Sequence, residues 1–199
     1  MSLRVKKKKA VASMQEGTYL AVCVMVADLG EQYNEKFKKY ANKLLLAFEV
    51  PSERIEVDGE DKPCWIMQEY SASLAEKSTF YKILTSWCGK AMTADEKEEG
   101  FDASKLLGKA AMIAVNVTES DGGTYNNITS VIGLPKGTQA PKAESELTLF
   151  DWDNFSEDKF KALPEWLQEK IKRSTEYQQH YAIDEKLDIP EEGNSEPDF

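Results

Sequence analysis

Residues 106–137, LLGKAAMIAVNVTESDGGTYNNITSVIGLPKG, constrain the fold more than any other stretch. Met112, Ala114, Asn116 and Thr118 alternate with Ile113, Val115 and Val117, and Tyr125, Asn127 and Thr129 alternate with Asn126, Ile128 and Ser130. A period of two is the mark of a strand, whose successive side chains leave opposite faces. Asp121, Gly122 and Gly123 between the two runs tolerate the positive φ of a tight turn. The stretch predicts a long β-hairpin bounded by Gly108 and by Pro135, Lys136 and Gly137. The residues before it must then supply the rest of a sheet, and those after it read as an appendage.

Upstream, residues 17–29, GTYLAVCVMVADL, crowd β-branched and aromatic residues into a run too long for an ordinary strand. That predicts one strand bent around a barrel, with Leu20, Val22, Val24 and Val26 inward. A turn at residues 30–34 leads to a second strand, residues 40–50, with Leu44, Leu46, Phe48 and Val50 on one face and Pro51 ending it. Residues 54–57, a turn at 58–61 and residues 64–70 make a third strand and its lead-in. One face of it carries Trp65, Met67 and Glu69, the other Ile66, Gln68 and Tyr70, so either Trp65 or Tyr70 points outward. A helix follows, capped by Ser73 with Glu76 or by Ser78, with Phe80, Ile83, Leu84 and Trp87 at helical spacing and Gly89 as its end. Residues 93–100 are too charged for a core and predict a short exposed helix or loop.

Three strands, a helix and two strands, joined by turns rather than crossover helices, disfavour a parallel sheet. The order predicts a mainly β fold, a five-stranded Greek-key OB-fold barrel with a helix between strands three and four. After Gly137, a polar linker precedes a helix with Asn154 and Glu157 at capping-box spacing. Another helix starts near Pro164, with Trp166, Leu167 and Ile171 available to dock. The expected segments are a flexible basic arm at 1–14, the OB-fold at 15–137, a linker and helical extension at 138–183 and a disordered acidic tail at 184–199.

A net charge of −10 bears directly on partners, because phosphate binding needs local positive charge. Arg4 and Lys6, Lys7, Lys8 and Lys9 give the arm +5, residues 184–199 carry −6, and residues 10–183 carry −9. A nucleic-acid reading must therefore find a basic patch. No apolar run approaches the roughly 20 residues of a membrane span. Cys23, Cys64 and Cys88 are far apart, odd in number and set in apolar segments, which reads as reduced core thiols in a cytosolic protein.

Catalysis finds little support. His180, near the end of a helix, is the one histidine and reads as a surface residue, and no cysteine cluster at ligand spacing suggests zinc. There is no phosphate-loop motif, and paired acids such as Asp151 and Asp153 read as solvated surface. Neither a metal nor a cofactor is expected, nor an enzyme. The informative constellation is residues 33–43, YNEKFKKYANK, which sets Lys36, Lys38, Lys39 and Lys43 among Tyr33, Phe37 and Tyr40 with Glu35 the only acid. Amines neutralise phosphates while aromatic faces stack bases, so this is what a single strand of nucleic acid requires. In an OB-fold the loop joining strands one and two lies at the binding face. The same residues also suit an ordinary hairpin tip, with lysines for solubility and aromatics covering the barrel end. Trp65 or Tyr70, Tyr125, Lys62, Lys109 and Lys136 extend the candidate surface.

The long hairpin, preceded by FDASK, resembles the second half of bacteriophage OB-fold single-stranded-DNA-binding replication proteins. GEQYNEKFKKYANKLLLAFEV resembles their first hairpin, and LPEWLQEKIKRSTEY their helical extension. The acidic end, DEKLDIPEEGNSEPDF, is similar to bacterial single-stranded-DNA-binding tails, whose last aromatic residue docks on partners, although Asp198 separates Pro197 from Phe199 here. The resemblance implies a non-catalytic coat for single-stranded DNA in phage replication or recombination, in the cytoplasm of a bacterial host. It also implies replication or recombination partners bound through Asp198 and Phe199, with oligomers possible. The rival expectation is a protein-interaction or assembly module that uses the barrel only as a scaffold.

Overall fold

In the computed structural model, which describes residues 14–35, 37–120 and 123–187, the uninterrupted alternation of residues 40–50 becomes the core of β2 (Lys39–Val57). Leu44, Leu46, Phe48 and Val50 all point into one hydrophobic core, as expected. β2 pairs antiparallel with β1 (Gly17–Asn34) on one side and with β3 (Glu60–Ser71) on the other. Next come α1 (Thr79–Cys88), α2 (Ala94–Glu99), a 3-10 turn (Ala103–Leu106), and the expected hairpin of β4 (Ala110–Ser120) and β5 (Gly123–Ile132). Ser120 pairs with Gly123. The turn residues Asp121 and Gly122 lie outside the described residues, as do Lys36, residues 1–13 of the basic arm, and residues 188–199 with Asp198 and Phe199.

The sheet is mainly antiparallel, in the order β3-β2-β1-β4-β5, with a sixth strand, β6 (Thr148–Phe150), parallel to β1. It curls until β3 and β5, the two ends of the path, come within 8 Å between Cα atoms, but no ladder joins them. The expected barrel, closed or nearly closed, is corrected to a sheet open at that seam. Beside the seam, the Asn126 side chain binds the backbone of Met14 instead, accepting its N–H at 3.0 Å and donating to its carbonyl at 2.8 Å.

β1 departs from its predicted pattern because it bulges. Its register with β2 shifts between Cys23 and Met25, and a bulge reverses which face successive side chains take. Ala21, Cys23 and Val26 enter the inner core with β2, whereas Val22 and Val24, expected inside, point into a second core. The bend also divides the strand's free edge, residues 17–22 pairing with β4 and residues 25–27 with β6. A second shift, between Asp28 and Gly30, puts Gly30 at φ 67°, where a Cβ would lie 2.3 Å from Oε2 of Glu176. That close approach lets Glu176 accept the Glu31 N–H at 2.7 Å.

Pro51 does not end β2. The register between β2 and β3 shifts between Val50 and Arg54, so the proline falls in a bulge, where its missing N–H is tolerated. Residues 54–57 therefore belong to β2, and the turn shortens to Asp58 and Gly59, both at positive φ as a two-residue hairpin loop requires. In β3, Cys64, Ile66 and Tyr70 face inward; Tyr70 is 4% exposed, with its ring 6.2 Å from that of Phe80. Helix α1 closes this core with Phe80, Ile83, Leu84 and Trp87. Ser78 is its cap, accepting the Tyr81 N–H at 3.1 Å, and Gly89 leaves it at φ 73°.

The C-terminal segment is not a loose appendage. Phe150 of β6, Phe160 of α3 (Glu157–Ala162), and Leu167 and Ile171 of α4 (Glu165–Ile171) pack with Leu163 against Val22, Val24, Leu45 and Ala47 on the outward face of β1 and β2. Ser156, not Asn154, caps α3, accepting the Lys159 N–H at 3.3 Å. The single helix expected from Pro164 is broken in two. Buried Ser174 accepts the Tyr177 N–H at 3.1 Å and starts α5 (Thr175–Leu187), which runs past Asp184 into the stretch expected to be the acidic tail.

Glu49 pins this second layer. It is fully buried on the outward face of β2 and accepts backbone N–H groups from Glu144 at 2.7 Å and Ser145 at 3.0 Å, with Nε1 of Trp65 at 3.4 Å. Burial pushes its carboxyl upward, but the accepted hydrogen bonds together outweigh that and hold it below the ordinary glutamate value. A buried carboxylate that accepts three hydrogen bonds fixes residues 144–145 across β2.

Candidate nucleic-acid interface

The tip of the β1–β2 hairpin gathers most of the residues singled out by charge and aromaticity. Asn34 pairs with Lys39, and Asn34 Oδ1 accepts the Phe37 N–H at 3.2 Å, turning the chain; Lys38 completes the turn at φ 49°. Tyr33 and Tyr40 face each other across the ladder with ring centroids 5.1 Å apart and planes 56° off parallel. Tyr33, Phe37 and Tyr40 are 51%, 62% and 57% exposed. Large aromatic rings normally contribute by burial, and here three are left open together at one tip. Lys38 and Lys39 beside them make no ion pair among the described residues. Further along the outward face, Lys43 Nζ donates to Ser71 Oγ at 3.0 Å.

Other expected contributors are dispersed. Tyr125 is 50% exposed on β5. Trp65 is the strand-three aromatic on the outward face, but it is half-buried under the extension, with Nε1 3.2 Å from Ser145 Oγ. Tyr70, the alternative, is corrected to a core residue, because α1 lies over its ring and leaves no face open. Lys62 sits on the β2–β3 hairpin, paired with Glu60 at 2.7 Å. Lys109 is drawn to α1, with Nζ 3.4 Å from Cys88 Sγ and 5.7 Å from the Trp87 ring centre. These last two do not join the hairpin tip.

Residues of the extension join it in their place. Lys170 of α4 accepts a hydrogen bond at its carbonyl from Gln32 Nε2 at 3.2 Å, which sets the end of α4 beside the base of the β1–β2 hairpin. Its ammonium pairs with Glu69, which lies opposite Leu45 in the ladder. Arg173 is exposed and has no ion pair among the described residues, and Trp166 is 46% exposed. Trp166 and Lys170 stand at i and i+4 on α4 beside the docking pair Leu167 and Ile171, and Arg173 lies in the turn that follows the helix. That spacing was the available signal for Trp166 and Lys170.

On the opposite side, the hairpin base borders an acidic cleft of about 720 Å3 lined by Asp28, Asp102, Asp151, Asp153 and Glu176. Burial, with the negative charges of Glu176, Asp153 and Asp151, pushes the Asp28 carboxyl above its ordinary value against the pull of the Gly30 N–H. Phosphate would be repelled there. Among the described residues no three His, Cys, Asp or Glu are grouped to hold a metal ion, and no helix is long and apolar enough to cross a membrane. No protein-family model and no curated protein matches the chain.

Proposed function

We propose that this chain binds single-stranded DNA without catalysing a reaction, on an OB-type fold, as a strand-protecting protein of phage replication or recombination. The observation that carries the reading is the β1–β2 tip, where Tyr33, Phe37 and Tyr40 stand open beside Lys38 and Lys39. Open rings supply stacking to any base, and lysines without acid partners supply charge to phosphates. The strand path β3-β2-β1-β4-β5, with its ends brought together, supports the OB part, because that fold is a partly open five-stranded barrel that binds through its strand-two and strand-three face and the adjoining loops. Here the extension covers Leu45, Ala47 and Glu49 on that face, so the strand's path runs along its uncovered margin, past Lys43 and Met67. Asp198 and Phe199 remain the proposed anchor for replication or recombination partners.

Oligo-dT binding over a range of salt concentrations tests the reading. A strand binder weakens steeply as salt rises, with a log–log slope of about −0.7 per phosphate contact. Absence of binding at the lowest salt overturns it and leaves the assembly-module alternative.

A further inference from the structure

We propose that the recess between β3, β5 and α4 is a nucleobase subsite whose stacking wall is Trp166, an inference that rests on the single-strand reading above. The recess holds about 490 Å3 and is lined by Leu45, Met67, Gln68, Glu69, Asn126, Asn127 and Trp166. It exists because the sheet does not close: β3 contributes one bank, β5 the other, and α4 lies across the end.

Its chemistry fits a flat, uncharged, hydrogen-bonding ring. Met67, on the outward face of β3, is exposed and gives an apolar surface beside buried Leu45. Trp166 is not needed to dock its helix, since Leu167 and Ile171 are fully buried and do so, yet it presents an indole to the recess. Polar groups stand at the edge. The Gln68 amide has no hydrogen-bond partner among the described residues, and Asn127 gives its amino group to Thr118 Oγ1 at 2.6 Å, which leaves its carbonyl oxygen to accept. The one acid, Glu69, is neutralised by Lys170. A phosphate would find no uncompensated cation inside, whereas a base would find a stacking face together with a donor and an acceptor for its edge.

Continuity with the basic surface selects a nucleic-acid base over an aromatic side chain of a protein partner. Leu45 lies two residues along β2 from Lys43, on the same outward face, and exposed Arg173 lies in the turn just after α4, the helix that carries Trp166. A strand held at the β1–β2 tip and running past Lys43 would bring its next bases over Met67 and Trp166, with cations on the flank for the connecting phosphates.

The test compares the full-length chain with Trp166→Ala and Trp166→Phe, using oligo-dT and an abasic oligonucleotide of equal length. Trp166→Ala is expected to weaken dT binding roughly tenfold or more, as loss of one stacked base does, without change in the salt slope. Trp166→Phe should keep most of the affinity, and the abasic strand should not distinguish wild type from Trp166→Ala. Circular dichroism and thermal melting confirm that the variants fold. Equal dT affinity of wild type and Trp166→Ala overturns the subsite while the single-strand reading stands. An equal loss on the abasic strand also overturns it, since Trp166 would then act by placing α4. If wild type binds no dT at any salt, both readings fall.

Discussion

Two hairpins share strand β2 and project its opposite ends, and their tips are chemically unlike. At the β2–β3 tip every cation is matched: Arg54 lies between Asp61 at 3.0 Å and Glu144 at 2.7 Å, and Lys62 meets Glu60 at 2.7 Å. At the β1–β2 tip, Lys38 and Lys39 make no ion pair among the described residues, and three aromatic rings stand open beside them. In a chain of net charge −10, a count of lysines therefore says little about phosphate binding. What matters is which cations the fold leaves without a partner, since a paired one must first give up its carboxylate.

The sharpest test of that contrast removes the rings. Phe37→Ala with Tyr40→Ala should lower dT affinity by roughly 1 to 3 kcal/mol for each base that loses its stacking partner, with little change in salt slope. Val57→Ala, which trims the exposed apolar residue of the other tip, should leave affinity unchanged. Fluorescence titration measures both, and equal affinities in all three proteins would remove the β1–β2 tip from the interface.

A second test changes what holds the β2–β3 tip in its paired state. Glu49 fixes residues 144–145, and Glu144 in turn engages Arg54. Glu49→Ala leaves two part-buried N–H groups without their acceptor and should cost up to about 1 to 3 kcal/mol of stability for each, less where water reaches the group, read by denaturant unfolding. The pH dependence follows from the lowered carboxyl. Burial favours protonation, but the accepted hydrogen bonds favour the anion more, so Glu49 contributes fully above its ordinary value of 4.5 and loses that contribution as pH falls through the lower folded value. Asp28 has the opposite sign: its raised carboxyl favours the folded state at low pH, and that preference is lost as pH rises above 3.8 through the folded value. Glu49→Gln keeps Asp28 and removes the first effect. Its melting temperature should fall less than that of wild type on acidification below pH 4.5; parallel curves would show that Glu49 is not the anion that holds the linker.

The same contrast shows where the sequence was legible. The inner face of β2 could be read because Leu44, Leu46, Phe48 and Val50 alternate without a bulge, and β1–β2 tip chemistry because lysines and aromatics are contiguous there. Of the outward core, only Leu167 and Ile171 could be read, as apolar residues available to dock. Its members Phe150, Phe160, Leu163, Leu167 and Ile171 are spread over three short elements, none long enough to show a helical period, and β1 offers apolar residues on both faces so that no alternation marks a second layer. The bulge at Val24 then reverses the inward set, and the bulge beyond Val50 absorbs a proline that reads as a strand end. Trp166, Lys170 and Arg173 joined the candidate surface only once the end of α4 was placed beside Gln32.

A smaller effect is expected from charge at the β1–β2 tip. Lys38→Ala with Lys39→Ala should weaken dT binding at low salt and flatten the log–log salt dependence by about 0.7 for each lost phosphate contact, up to about 1.4 for the pair. Affinities of wild type and variant should converge as salt rises, because the contribution removed is the one that salt screens. A slope that does not change would mean that these ammonium groups release no counterions and that the phosphates lie elsewhere.

The smallest effect is expected where the same change is made on paired cations. Arg54→Gln with Lys62→Gln removes two positive charges, as the Lys38 and Lys39 substitutions do, so a strand attracted only by overall charge would respond to both variants alike. The geometry separates them. The Arg54 guanidinium is held by Asp61 and Glu144, and Lys62 by Glu60, so the local field at this tip is already close to neutral or negative. Removing the cations uncovers those carboxylates rather than taking away a phosphate contact. The salt slope for dT should therefore stay at the wild-type value, while thermal melting reports only a slight loss from the broken surface pairs. A flattened slope in this variant, as large as that of the Lys38 and Lys39 variant, would abolish the distinction between the two tips and move the interface toward β2–β3.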